Sequence, residues 1–248
     1  MVLTWIVGFA LLGSIGAIGA AALFLLFSKP VRERLVPFLV SYATGTLLGA
    51  ALLGLLPEAI EQGGLRPSLG TVLGGLMAFF VLERLLIWRH CHAESSCEVH
   101  GAAGYLLLAG DALHNFVDGA VIAVAFMSSI PLGIATGIAV IAHELPQEVG
   151  DFAILLDNGF TRIRALKWNL ISGSTTIPGA LLAYVGVEQA PQFNATILAL
   201  SAASFLYIGL ADLVPGLHRR IGAETGLGQL VLILAGVATI LILQMYKA

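Results

Sequence analysis

Long apolar runs separated by short polar patches set the pattern of this chain. Charge-free stretches cover Met1–Ser28, Leu35–Pro57, Pro67–Leu82 continuing to Trp88, Trp168–Val187, Ala190–Ala211 and Thr225–Tyr246. A hydrocarbon core about 30 Å thick takes about 20 helical residues, so each run reads as a membrane span. Gly101–Asn158 is long enough for two more, with Ser128, Ser129 and Pro131 as a short turn between them. The pattern predicts an all-α polytopic membrane protein: a single transmembrane domain over 1–248 with eight helices at about 3–27, 36–57, 67–88, 102–127, 131–157, 166–187, 192–214 and 226–246, and a short polar loop at 89–101. The first run lacks a basic leader and is too long for a signal-peptide core, so it reads as a span.

Composition agrees. Of 248 residues, 58% are hydrophobic and only 11% are charged, against roughly 25% charged in a soluble domain. Lipid is the expected solvent. The net charge of -3, without a basic run, excludes nucleic acid as a partner. Two cysteines, Cys91 and Cys97, make no disulfide framework.

The basic residues fix an orientation. Lys29, Arg32, Arg34, Arg84, Arg89, Arg162, Arg164, Lys167, Arg219 and Arg220 fall in the loops of one side, leaving Arg66 and Lys247 on the other. By the positive-inside rule both termini lie outside. Helix 6 then enters from the side opposite to helix 1, as a 3+2+3 arrangement requires if helices 1–3 and 6–8 are inverted repeats around helices 4 and 5. No clear sequence repeat accompanies it.

Helices 4 and 5 carry the chemistry. Helix 4 reads GDALHNFVDG, with Asp111, His114, Asn115 and Asp118; helix 5 reads AHELPQEVGD, with His143, Glu144, Gln147, Glu148 and Asp151. Five of these are acids, and neither span contains Lys or Arg. At roughly 3 kcal/mol per carboxylate at a bilayer centre, such a set calls for a compensating cation, either a metal ion or protons. Asp111, His114 and Asp118 share one helical face; His143, Gln147 and Asp151 line another, with Glu144 and Glu148 beside it. Both histidines fall near the midplane. Asp111 and Asp151 lie on the cytosolic side of them and Asp118 on the external side, a path suited to a permeating cation. Imidazole with carboxylate favours first-row metals, zinc first, over Mg2+ or Ca2+. Pro146 lacks an amide hydrogen and leaves the Ala142 carbonyl without its helical donor.

HNFVDG on helix 4 and HELPQEVGDFAIL on helix 5 resemble the signatures of the ZIP (Zrt/Irt-like) divalent metal transporters, especially the branch with HNFxDG and HExPHE helices. ATGTLLGAALLGLLPEA on helix 2 and AASFLYIGLADLVPGL on helix 7 are also similar to that branch. The resemblance implies eight helices with outside termini, alternating access, a scaffold that forms homodimers, and a central metal site from His114, Asp118, His143, Glu144 and Gln147, with Asn115 and Glu148 adjoining. Gln147 replaces a second histidine of the nearest branch. Val117 and Ile177 stand where relatives with two adjacent metals have other residues, which implies one transported ion at a time. Ala50 and Gly54 on helix 2 stand where relatives often place Asp and His.

WRHCHAESSCEVHG places His90, Cys91, His92, Cys97 and His100 together on the expected cytosolic side, similar to a short form of the family's His-rich loop and able to capture a departing metal. Asp212 is a candidate for the exit path; Glu58 and Glu61 read as solvated external residues. The function expected is inward facilitated or secondary transport of zinc, with iron, manganese and cadmium as other candidate cargoes and no catalytic cofactor. Two rivals are weighed: an intramembrane metalloprotease using His143 and Glu144, which lacks the second histidine of HExxH at Gln147, and a proton channel. A plasma (inner) membrane address, in a prokaryote, follows from the small size and the lack of an ectodomain.

Overall fold

A computed structural model describes residues 1–91, 100–218 and 223–245. They form eight long helices and, among the described residues, no strand: α1 Val2–Phe24, α2 Lys29–Gly63, α3 Leu65–Cys91, α4 His100–Ser128, α5 Ile130–Asp157, α6 Arg162–Gln189, α7 Pro191–His218 and α8 Ala223–Met245. Seven of them are long and apolar enough to cross a bilayer. The exception is α5, whose 28 residues include His143, Glu144, Gln147, Glu148 and Asp151. Its polar content lowers its hydropathy and also marks it as central.

The turns are short and chemically defined. Gly64 adopts φ 86° between α2 and α3 and Gly159 φ 81° after α5, a left-handed backbone that glycine adopts without strain. Ser129 and Thr161 cap α5 and α6 by accepting from Leu132 N and Arg164 N. The loop expected at 89–101 is shorter than its sequence suggested, because α3 runs on through His90 to Cys91 and α4 already begins at His100. Glycine-free and rich in helix formers, ERLLIWRHC continues the helix into its polar end.

Three helices contain a π-helical stretch, Leu12–Gly16 in α1 among them, and in two of them a proline follows it. In α2, Ala50–Leu55 is π-helical and Pro57 follows; in α7, Ile208–Leu213 is π-helical and Pro215 follows. A proline removes the donor for the carbonyl four residues back and crowds it, and a widened turn relieves both. The two stretches, AALLGLLP and IGLADLVP, align without a gap and share two leucines and the proline. They mark α2 and α7 as counterparts in the two three-helix units. Packing follows the same exchange: α2 packs against α8 as α7 does against α3, and α4 against α6 as α5 does against α1.

Helices α2, α7 and α4 bury the most of their apolar windows, 61%, 53% and 50%, against 17% for α3 and 11% for α8. Leu69, Leu73, Met77 and Phe80 of α3, and Leu227, Leu230, Val231 and Leu234 of α8, face outward. That apolar exterior belongs against lipid. The main core gathers Val121, Ile122, Phe126, Leu132, Val140, Leu198 and Phe205. Helices α4 and α6 approach backbone to backbone at Gly119 and Gly179: a Cβ on Gly119 would strike the Thr176 carbonyl, and one on Gly179 the Phe116 carbonyl. Gly45 and Gly236 make the matching approach between α2 and α8.

Candidate metal centre

Because His114 and Asp118 are one turn apart on α4, and His143 and Glu144 are adjacent on α5, close packing of these helices brings four ligand groups to one point. His143 Nε2 lies 3.0 Å from Asp118 Oδ2 and 3.6 Å from Glu144 Oε1. His114 Nε2 lies 3.3 Å from Glu144 Oε1, 3.7 Å from Asp118 Oδ2 and 3.3 Å from His143 Nε2. All four ligand atoms fall within 4.8 Å of one another. A tetrahedral zinc with bonds of about 2.0–2.1 Å separates its ligands by about 3.4 Å, so the spacings already bracket those of a mononuclear site.

Burial leaves the carboxylates little else to bind. Asp118 and Glu144 are fully buried and His143 is 1% exposed. Asp118 Oδ1 and Glu144 Oε2 have no hydrogen-bond donor. His143 Nδ1 donates to the Ala139 carbonyl, 2.9 Å away, which turns Nε2 toward the cluster. His114 is one-fifth exposed. It is reached through a cavity of about 210 Å³ between α3, α4 and α7, whose polar lining includes Glu83, Ser204 and Tyr207.

The remaining polar residues of the two helices form a second tier on the Asp111 side. Asn115 Nδ2 donates to Asp111 Oδ1 at 3.0 Å, and Thr176 of α6 bonds Asn115 Oδ1 at 2.9 Å. Ser172 and Gln147 stand beside the Asp111 carboxyl group. Gln147 is therefore brought close to Asp111. Glu148 is 1% exposed with both oxygens unpartnered, and Asp151 is 8% exposed.

The surroundings also hold groups the spacing of α4 and α5 did not reveal. Glu83 accepts a hydrogen bond from the Tyr207 hydroxyl across the cavity beside His114. Glu83 falls inside the span expected at 67–88, where no spacing within the helix singles it out. On α6, Asn169, Ser172 and Thr176 are buried against the second tier. Their spacing of three and four residues within an apolar span was a readable polar stripe. Glu58 corrects the expectation of a solvated residue: it is 8% exposed, because α2 continues past Pro57 and turns its carboxylate inward, where Oε1 accepts from Gln62. Glu61 is exposed. The side chains of His90, Cys91, His100 and Asp212, and all of His92 and Cys97, lie outside the described residues.

Comparison with known families places this geometry. Residues 88–244, well over half of the chain, match the model of the ZIP zinc transporter domain. The chain belongs to the ZIP zinc transporter family. ZIP proteins are transporters, not enzymes. It is similar to zinc transporter ZIP13 of Pongo abelii, with 34% identity over 226 residues, 84% of this chain and 66% of that protein. It is also similar to zinc transporter ZIP10 of Mus musculus, at 36% over 168 residues, 63% of this chain and 20% of that protein. Zinc transporter ZIP4 of Homo sapiens is 45% identical over 114 residues, 46% of this chain and 17% of that protein. The chain thus spans just under two thirds of the ZIP13 relative and a fifth or less of the other two.

Proposed function

We propose that this multi-pass ZIP-family membrane protein carries zinc inward across its membrane, one ion at a time, through the His114–Asp118–His143–Glu144 site. The observation that carries the reading is the convergence of two imidazoles and two carboxylates within 4.8 Å at the buried contact of α4 and α5. Two carboxylates supply the charge that balances a divalent ion, and two imidazoles bias the set toward zinc over magnesium or calcium. Asn115 and Glu148 adjoin the site; Gln147, Asp111 and Asp151 continue it toward the side carrying Lys29, Arg32 and Arg162. Iron, manganese and cadmium are the competing cargoes.

The positive-inside count supports outside termini, so that side is the cytosol. A divalent ion moving inward down a 100 mV potential gains about 4.6 kcal/mol, which makes nucleotide hydrolysis unnecessary. Alternating access carries the ion past the buried cluster, and a homodimer supplies the scaffold. His90, Cys91, His92, Cys97 and His100 receive it on the cytosolic side, with Asp212 on the way out. The address proposed is a prokaryotic plasma membrane, although the relatives named above are animal proteins.

The test is uptake by the purified chain in liposomes. External zinc accumulates with the wild type, and both His143→Ala and Asp118→Ala abolish accumulation while the folded protein is recovered. Unchanged uptake in both variants overturns the site. A proton current that is independent of metal and survives its removal favours the channel reading instead.

A further inference from the structure

Where α1 ends and α2, α5 and α6 meet, two adjoining cavities open. One, of about 300 Å³, is lined by Ala22, Leu25, Leu26, Arg32, Phe152, Leu156, Arg162, Ile163 and Leu166. The other, of about 400 Å³, shares Leu25, Arg32 and Leu156 and adds Lys29 and Glu33. Three cations and one acid, Glu33, thus border a groove whose other lining residues are apolar. One of them is incompletely satisfied: Arg32 Nε is buried without a hydrogen-bond partner. Arg164, two residues from Arg162, is by contrast engaged by the Tyr105 hydroxyl and stacked over Phe160. Glu33 reaches only Lys29, at 3.8 Å and in solvent, and among the described residues neither Arg32 nor Arg162 pairs with a carboxylate.

The backbone adds to the same field. Helix α2 starts at Lys29 and α6 at Arg162, neither with an acid in its first turn, and Ser28 makes no side-chain capping bond. Both helix starts therefore present positive partial charge beside the cations. A groove with this field repels a divalent cation, so it is a poor continuation of the zinc path. Beside the cations, Leu26 is 78% and Ile163 82% exposed, an apolar rim that a free anion leaves bare and an acyl chain covers.

We propose that this groove is a binding site for one anionic phospholipid. Arg32, Arg162 and Lys29 hold the headgroup phosphate, and the chains run over Leu25, Leu26 and Ile163. The site depends on the chain lying in a bilayer, not on the identity of its cargo.

The full chain is purified from detergent, incubated with equimolar dioleoyl phosphatidylglycerol and dioleoyl phosphatidylcholine, and its retained lipid weighed by native mass spectrometry. The wild type retains phosphatidylglycerol in preference. Each removed cation lowers that preference about fivefold, so Arg32→Gln with Arg162→Gln brings it down more than twentyfold. Lys29→Gln, at a position exposed to solvent, gives the single step even if the double variant fails to fold. Equal retention of the two lipids by the wild type, or a preference untouched in Lys29→Gln and the double variant, overturns the proposal. Thermal stabilisation by inorganic phosphate equal to that by phosphatidylglycerol also overturns it, since a free-anion site is then sufficient.

Discussion

His143 Nε2 faces Asp118 Oδ2 at 3.0 Å while His143 Nδ1 is committed as donor to the Ala139 carbonyl. A neutral imidazole with its proton on Nδ1 offers a lone pair at Nε2, so acceptor meets acceptor unless a cation stands between them. The lone pair of His143 Nε2 also faces His114 Nε2, 3.3 Å away. The α4–α5 contact is therefore incomplete without a positive charge, which a metal ion or a proton supplies.

Asp118→Asn should replace that cation by an amide hydrogen. Asn donates to His143 Nε2 at nearly the same spacing and removes a buried charge, so the variant is expected to fold with undiminished stability. Zinc at 100 times its Kd stabilises the wild type by about 2.7 kcal/mol. The variant should lose this zinc-dependent rise in Tm, together with at least ~100-fold of uptake. Metal titration followed by thermal unfolding separates the two effects; a full zinc-dependent rise in the variant removes Asp118 from the ligand set.

Thr176 supports the site from α6. Its hydroxyl is shared between Asn115 Oδ1, 2.9 Å away, and the Gly173 carbonyl, 2.8 Å away, and Asn115 in turn fixes Asp111. Thr176→Val keeps the shape and leaves Asn115 Oδ1 unsatisfied, at a cost of about 1–3 kcal/mol. Zinc affinity should fall about 10–100-fold, the range for groups that orient ligands. Thr176→Ser should restore it. Equilibrium zinc binding by all three proteins decides the matter.

Glu148 lies buried with both carboxylate oxygens unpartnered. Such a group is costly to the fold unless it serves the transported ion. Glu148→Gln removes the ionisable group at nearly unchanged shape, so it should leave stability equal or raise it, and should slow uptake. A variant with wild-type transport and lower stability would assign Glu148 a structural role instead.

The sequence made the helices and the four converging ligands legible because both depend on short-range rules. Apolar length counts spans, and a spacing of three or four residues puts His114 and Asp118 on one face. The Glu83–Tyr207 bond joins α3 to α7 across 124 residues, and no periodicity within either helix announces such a pairing. Gln147, which its one-turn spacing from His143 put on the ligand line, also stands beside Asp111 of the facing helix. The relation of α2 to α7 rests on only three shared letters in AALLGLLP and IGLADLVP, and it became recognisable through the π-helical turn that precedes the proline in each.

The closeness of α4 and α6 yields the last prediction. With Gly119 and Gly179 in contact, Thr176 reaches Asn115, and any side chain at Gly179 must push the Phe116 carbonyl away. Phe116 precedes Val117 and Asp118, so separating the helices displaces Asp118 from the cluster. Gly179→Val should therefore lower stability by about 1–3 kcal/mol, as overpacking does, and weaken zinc binding as well. Gly74→Ala is the control: its Cβ meets nothing within 4 Å, and alanine is the better helix former by up to about 1 kcal/mol. It should match or exceed the wild-type Tm with unchanged zinc affinity. If Gly179→Val destabilises without loss of affinity, the α4–α6 contact supports the fold alone and Thr176 adapts to the shift.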